Sequence, residues 1–139
     1  MSISGPELLQ LMEDTASDAV KFAQDEFELT LDRSEDSVIL IDQLILSIRE
    51  RYRENLHDSK LIFTVCNMLG AYIGEVFRTH HGGQWVYDDT DPDAPSVFLA
   101  LGEYTFAFAG IVYQRLINDQ DQSTLLYYEE AVNNAAPAH

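Results

Sequence analysis

The stretch from Ser59 to His81 constrains the fold most, because apolar side chains occupy most of its circumference when it is drawn as a helix. A helix that is apolar on most sides belongs in the interior of a protein. The glycine pair Gly82-Gly83 follows directly and is typical of a helix end. The sequence therefore predicts a central helix that starts at Asp58 or Ser59. Its apolar positions are Leu61, Ile62, Val65, Cys66, Met68, Leu69, Tyr72, Ile73, Val76 and Phe77.

Two amphipathic helices are predicted before the central helix. The first runs from Pro6 to Phe27 with Ser4 as its cap. The second begins at Ser34, where the acidic residues of the first turn suit the helix dipole. A short extended stretch over residues 28–32 connects them. The apolar stripes are Leu8, Met12, Thr15, Ala19 and Phe22 in the first helix, and Val38, Ile41, Leu44, Ile45, Ile48 and Tyr52 in the second.

After Gly83 the hydrophobic period changes from helical to alternating, which is typical of strands. Strands are predicted at residues 84–87, 96–101 and 104–108. An acidic loop over residues 88–95 separates the first two, and Gly102-Glu103 forms the turn between the last two. This part of the chain predicts a three-stranded antiparallel meander.

Two C-terminal helices are predicted at residues 110–118 and 123–133, with Ser123 capping the second, and residues 135–139 are expected to fray. The fold class is therefore α+β, with three N-terminal helices, a three-stranded antiparallel meander and two C-terminal helices. A chain of 139 residues with 46% hydrophobic content suffices for one core. We expect residues 1–139 to form a single domain.

The apolar runs and the N-terminus indicate in which compartment of the cell the protein is expected. Apolar stretches such as residues 38–41 and 61–65 are far shorter than the roughly 20 residues that cross a bilayer. The N-terminus lacks the basic and apolar parts of a secretory signal. The single cysteine, Cys66, excludes an intramolecular disulfide. We expect a cytoplasmic protein without a membrane span.

Charge restricts the classes of partner. The chain has 24 acidic and 8 basic residues, and its formal net charge is -16. Such a surface repels phosphate backbones and anionic lipids, because nucleic-acid binding depends on Lys and Arg that displace counterions. The same field accelerates encounter with a basic protein and adds specificity to the complex. We expect no nucleic-acid partner, and either a basic protein partner or a charge that serves solubility alone.

The segment from Gly70 to Val86 contains the densest group of unusual residues. Glycine inside a helix costs roughly 1 kcal/mol relative to alanine, so Gly70 and Gly74 indicate close approach by another helix, a ligand or a partner. Glu75 and Arg78 lie three residues apart and are able to pair. Trp85, just after the turn, is placed to stack over this region and is a candidate interface anchor or core residue.

This segment resembles a pattern of small uncharacterised bacterial domains, in which a Gly-x-Tyr-x-Gly-Glu-Val-x-Arg helix meets a Gly-Gly-x-Trp-Val strand. With a looser likeness over residues 106–118, the resemblance covers about half of the chain. Such domains often have proline before the last helix, where this chain has Ala109. The resemblance implies an immunity or interaction role.

The acidic loop invites a metal hypothesis. Asp89, Asp91 and Asp93 alternate as in the opening of a calcium-binding loop. An EF-hand has glycine at its sixth position and glutamate at its twelfth, whereas alanine stands at both corresponding positions, 94 and 100. We therefore predict a solvated turn and no metal site or cofactor. Together with Asp88, the three aspartates remain candidate contacts for a partner.

His80-His81 and Cys66 are the remaining candidates for chemistry. Histidines at a helix C-terminus are explained by the helix dipole. Cys66 and His80 lie about 21 Å apart along one helix, too far for a nucleophile and its base. No phosphate-binding loop, Gly-x-Ser-x-Gly elbow or His-Glu-x-x-His motif occurs in the sequence. We predict no catalytic residue.

The sequence hypothesis is an acidic protein-binding module, such as an immunity or inhibitor protein that blocks a basic partner like a secreted bacterial toxin. The alternative is a small-ligand-binding protein or enzyme with a pocket around Glu75, Arg78 and Trp85. The binding candidates are Gly74, Glu75, Arg78, Trp85, Asp88, Asp89, Asp91 and Asp93. The oligomeric state is left open.

Overall fold

The helices and strands follow one another in the predicted order in the computed structural model, which describes residues 5–91, 93, 96–117 and 123–135. The predicted α+β class is confirmed. The elements are α1 (Gly5–Phe27), α2 (Val38–Arg51), α3 (Ser59–His81), β1 (Gln84–Asp88), β2 (Ser96–Leu101), β3 (Tyr104–Phe106), α4 (Phe108–Ile117) and α5 (Thr124–Ala135). Short 3-10 turns at Glu35–Ser37 and Arg53–Asn55 flank α2.

The central helix α3 has the bounds that the sequence predicts. The Asp58 carboxylate caps its first turn by accepting from the backbone N–H groups of Lys60 and Leu61, at 3.0 and 3.4 Å. Gly82 ends it with a φ of 89°, a conformation that glycine adopts at little cost. Twelve of its residues are buried, and α1 and α4 pack against it.

Helix α3 is also, among the described residues, the one helix long and apolar enough to span a bilayer by length and composition. In the fold, 67% of its most apolar window is buried against other parts of the chain. Buried core helices pass the same test, so this helix alone is weak evidence for a membrane.

The three strands form one antiparallel sheet in the order β1-β2-β3, as the meander predicts. Trp85 pairs with Leu99, and Leu99 pairs with Phe106, so the three side chains form a row across one face. All three are buried. This row is the sheet's contribution to the core, and it places Trp85 on the inner side of an edge strand.

The third strand is shorter than predicted. It ends at Phe106, and Phe108, which the sequence assigns to the strand, begins α4. Both phenylalanines are buried, and their rings contact each other and Phe77. An alternating pattern is satisfied equally by a strand that turns into a helix, so alternation alone could not locate this boundary.

Helix α5 is fixed through its first turn. The Ser123 hydroxyl accepts from the backbone N–H of Leu126 at 3.1 Å, which confirms the predicted cap. The carboxylate of Asp42, from α2, accepts from the backbone N–H groups of Thr124 and Leu125 at 2.9 and 3.2 Å. Ala135 belongs to α5. The predicted cap Ser4 and the predicted frayed end from residue 136 onward lie outside the described residues.

We predict that Gly70→Ala destabilises the fold. A Cβ atom at Gly70 would lie 2.7 Å from the backbone N and Cα atoms of Ala109 in α4, and backbone cannot move aside cheaply. We expect a loss of about 2 kcal/mol in urea unfolding, in the range of overpacked cores. Gly110→Ala is the matched control, because its Cβ would meet only the Ala107 methyl at 3.6 Å. An equal loss in both variants would contradict the account.

Candidate functional site

A buried ion pair lies at the centre of the predicted site. Glu75 is only 5% exposed, and both of its carboxylate oxygens accept from Arg78, Oε2 from Nε at 2.7 Å and Oε1 from Nη2 at 3.1 Å. The indole Nε1 of Trp85 donates to Oε2 at 2.8 Å. The structure therefore unites three of the predicted residues in one hydrogen-bonded cluster, which joins α3 to β1.

Gly74 makes this arrangement possible. A Cβ atom at this position would lie 2.1 Å from the six-membered ring of Trp85, far inside van der Waals contact. The ring therefore lies directly on the helix backbone. Of the alternatives that the sequence leaves open for the two helical glycines, packing within the chain is what the structure contains at both.

Arg78 faces outward from this cluster. Its side chain is 25% exposed, and Nη2 also lies 3.6 Å from Oε1 of Glu13 on α1. The hydrogen bonds to Glu75 raise the pKa of the Arg78 guanidinium above its ordinary value. The guanidinium is thus committed to carboxylates of its own chain and holds α1 against α3.

Next to the ion pair, the Tyr72 hydroxyl closes a second buried hydrogen-bonded group. It accepts from the backbone N–H of Arg33 at 2.9 Å and lies 2.6 Å from Ser37 Oγ. Because Ser37 Oγ donates to the carbonyl oxygen of Ser34, the Tyr72 hydroxyl is the donor to Ser37. Desolvation raises the pKa of Tyr72, so the hydroxyl stays protonated.

The concavity beside Glu75 and Tyr72 is small. It has a volume of about 30 Å³ and is lined by Arg33, Tyr72, Glu75, Val76 and Thr79. That volume corresponds to roughly one water molecule. A metabolite does not fit there, which weakens the alternative of a ligand pocket around Glu75, Arg78 and Trp85.

A larger groove runs along the outer edge of β1. Its volume is about 310 Å³, and it is lined by Gly5, Leu8, Gln84, Trp85, Val86, Tyr87 and Asp89. The first turn of α1 forms one wall and β1 forms the other. Trp85 therefore has two roles, since one part of it packs on Gly74 and another part lines the groove.

The candidate aspartates begin at Asp88, the last residue of β1, and continue beyond the strand, not beside Glu75. Asp88 accepts from the backbone N–H of Thr90 at 2.9 Å and from the Thr90 hydroxyl, and these bonds lower the pKa of its carboxyl. Asp91 accepts from the backbone N–H of Asp93 at 3.0 Å. Asp89 is exposed and lines the groove. Within the described part of the chain, no three His, Cys, Asp or Glu residues gather into a potential metal site.

The two histidines at the end of α3 form hydrogen bonds with other residues of the chain. His80 Nδ1 donates to the Val76 carbonyl oxygen at 2.8 Å, and His81 Nε2 donates to Glu35 Oε2 at 2.8 Å. Tyr128 of α5 donates to the same Glu35 oxygen at 2.6 Å. Glu35 thus links the start of α2, the end of α3 and the middle of α5.

Cys66 does not have the properties of a nucleophile. Its side chain is buried, and burial raises the pKa of the thiol to about 12. A thiol with that pKa is protonated at neutral pH, and only the thiolate attacks. The interpretation of Cys66 as a core residue agrees with its position.

Comparison with known protein families, curated proteins and solved structures finds no match for this chain.

Sequence reasoning did not find the groove. Gly5, Leu8 and Tyr87 were not among the candidates, because each belongs to an ordinary amphipathic or alternating pattern. One signal was available. The first strand of a three-stranded meander lies at an edge of the sheet, so no other strand of the meander pairs with the outer side of β1.

We predict that the Glu75–Arg78 pair is energetically coupled. Arg78→Met leaves a buried carboxylate with one indole donor, and breaking a buried pair costs about 3 kcal/mol or more. Glu75→Gln is expected to cost a similar amount, and the double variant less than the sum of the two. Urea unfolding of the cycle measures the coupling. Additive losses would show that the pair contributes nothing specific.

We predict that Tyr128→Phe reduces the acid sensitivity of the fold. The hydrogen bond from Tyr128, followed by that from His81, lowers the pKa of Glu35 below its ordinary 4.5. That stabilisation is complete above the ordinary value and is lost as pH falls through the lowered one. At neutral pH the variant should lose about 1.5 kcal/mol, the low end for a bond to a charged group, because Glu35 is 40% exposed. Below pH 4.5 its unfolding free energy should approach that of the wild type.

The matched control for this measurement is Tyr127→Phe. The Tyr127 hydroxyl accepts from the backbone N–H of Ala107 at 3.0 Å, a bond without a carboxylate. The loss in this variant should therefore be the same at pH 7 and in acid. If the Tyr128→Phe loss were also constant with pH, Glu35 would not be the origin of the acid sensitivity.

Proposed function

We propose that this protein is an acidic protein-binding module that blocks a basic partner, as an immunity or inhibitor protein does with a secreted bacterial toxin. The observation that supports this most is the uneven distribution of its charge. Residues 33–83 have seven acidic and six basic side chains and are nearly balanced. Residues 1–32 have eight acidic and one basic, and residues 84–139 have nine acidic and one basic.

The fold brings parts of these two acidic segments together. Helix α1 packs beside β1, and the first turn of α1 faces the start of the acidic loop across the groove. Asp14, Asp18 and Asp25 are exposed on α1, as is Asp89 beyond β1. A negative field attracts a basic protein at long range and orients it on approach.

The state of the ionisable groups in the interior also favours binding over chemistry. Glu75 and Arg78 hydrogen-bond to each other, and Trp85 donates to Glu75. The Tyr72 hydroxyl bonds to Ser37 and to the backbone of Arg33, and the raised pKa of Cys66 keeps it a neutral thiol. Groups that perform acid–base or nucleophilic steps need access to a substrate. The hydrogen bonds of Glu75, Arg78 and Tyr72 therefore stabilise the fold.

Affinity capture from the organism that encodes the chain tests this proposal. At about 0.1 M salt we expect one basic protein to co-purify in near-equal amount, and at about 1 M salt, where charges are screened, we expect its release. If the captured protein arrests growth when it is expressed alone, co-expression of this chain should restore growth. The absence of a complex at low salt, or a complex indifferent to salt, would contradict the proposal.

Two double variants test whether the position of the acidic residues matters for binding or only the net charge of the protein. Asp14→Asn with Asp18→Asn removes two exposed charges from α1, and Glu50→Gln with Glu54→Gln removes two from the balanced middle segment. The α1 pair should slow association with the captured protein several-fold more than the other pair. Equal effects would mean that only net charge matters.

A further inference from the structure

We infer that the outer edge of β1 binds an extended segment of the partner that contains Lys or Arg, as an added strand in the groove beside α1. This inference rests on the proposed function and assigns it a place and a binding mode. Its basis is the geometry of the groove, the state of the two sheet edges and the charges around β1.

The lining of the groove identifies the strand edge. Gln84, Trp85, Val86 and Tyr87 are consecutive, and all four line it. Side chains of successive strand residues point to opposite faces of a sheet, so four in a row share the backbone edge and not a face. Since β2 pairs with β1 on its other side, the groove runs along the side of β1 that no described strand pairs with.

The two edges of the sheet differ in how they are protected. Strand β3 has three residues, and the backbone N–H that follows it, from Ala107, donates to the Tyr127 hydroxyl of α5. Strand β1 has five residues and contains neither lysine nor proline, the residues that commonly block edge pairing. Among the described residues no second strand pairs with this edge, and an edge of this length is a template for an incoming strand, the mode known as β-augmentation.

Charge selects the kind of segment. Among the described residues no Lys or Arg lines the groove, whereas Asp89 lines it, Asp88 ends the strand, and Glu7 is exposed in the first turn of α1. The partial positive charge of the helix N-terminus is about half a unit, so Glu7 more than offsets it. Tyr87 and Trp85 add aromatic rings, which attract cations and the stems of long basic side chains.

The rigid attachment of β1 favours this role. Trp85 is held by its ring on Gly74 and by its hydrogen bond to Glu75, so the strand is fixed before a partner arrives. Ordering a loop at the moment of binding costs free energy, and an edge that is already ordered avoids that cost. The edge is therefore ready to pair without a rearrangement of the fold.

Amide NMR with a synthetic peptide tests the inference on the full chain. The probe is acetyl-Lys-Thr-Lys-Val-Lys-Thr-amide, and the control peptide has proline in place of valine, with equal charge but a lost backbone donor. At about 0.15 M salt we expect shifts concentrated on residues 84–88 and the first turn of α1 with the probe only. Shifts centred on other elements would overturn the inference.

Two charge-reversal variants of the protein test whether the charge at the groove determines peptide binding. Asp89→Lys places a positive charge at the groove, and Glu103→Lys makes the same change in the exposed turn between β2 and β3. We expect Asp89→Lys to weaken probe binding about tenfold or more and Glu103→Lys far less. Thermal unfolding verifies that both variants fold.

The outcomes separate this inference from the proposed function. If both peptides bind with equal affinity and both charge reversals weaken that binding equally, the acidic surface binds basic chains without using the strand edge. In that case only the inference fails. If neither peptide binds and the captured partner is also missing, both fail. If the β1 amides shift with protein concentration in the absence of peptide, the edge pairs with a second copy of this chain, and the inference fails.

Discussion

The hydrogen bond between the indole of Trp85 and the carboxylate of Glu75 is the contact on which the arrangement of this protein depends. It joins the first strand of the sheet to the central helix, at a point where Gly74 lets the ring lie on the helix backbone. Arg78 balances the charge of the carboxylate and extends the connection to Glu13 on α1. These contacts fix the positions of helix α1, the central helix and the sheet edge relative to one another.

This constraint explains why the most polar cluster of the interior is a structural one. A carboxylate that is 5% exposed needs partners, and Glu75 has them in Arg78 and Trp85. The residues left for a function lie on the surface, where the acidic helix α1 borders the outer edge of strand β1. The proposed binding of a basic segment uses the polar interior as a support and uses the surface for recognition.

Much of the fold is encoded locally and could be read from the sequence. The helical stripes and the glycine stop depend on neighbouring residues, and they predict the end of α3 at His81 and its start to within one residue. The spacing of Glu75 and Arg78 likewise predicts their pairing. Contacts between distant segments could not be predicted in this way: the Asp42 carboxylate caps α5 from 82 residues away, and the groove exists only because α1 packs beside β1. The Phe108 boundary was missed because a strand and a helix start satisfy the same alternation.

Hydrogen–deuterium exchange of the chain, alone and with its captured partner, tests whether the edge of β1 is the binding surface. We expect slower exchange in the complex for the backbone amides of β1 and the first turn of α1, with little change in α2 and α5. Slowing confined to the exposed faces of α2 or α5, with β1 exchanging as in the free chain, would contradict this expectation.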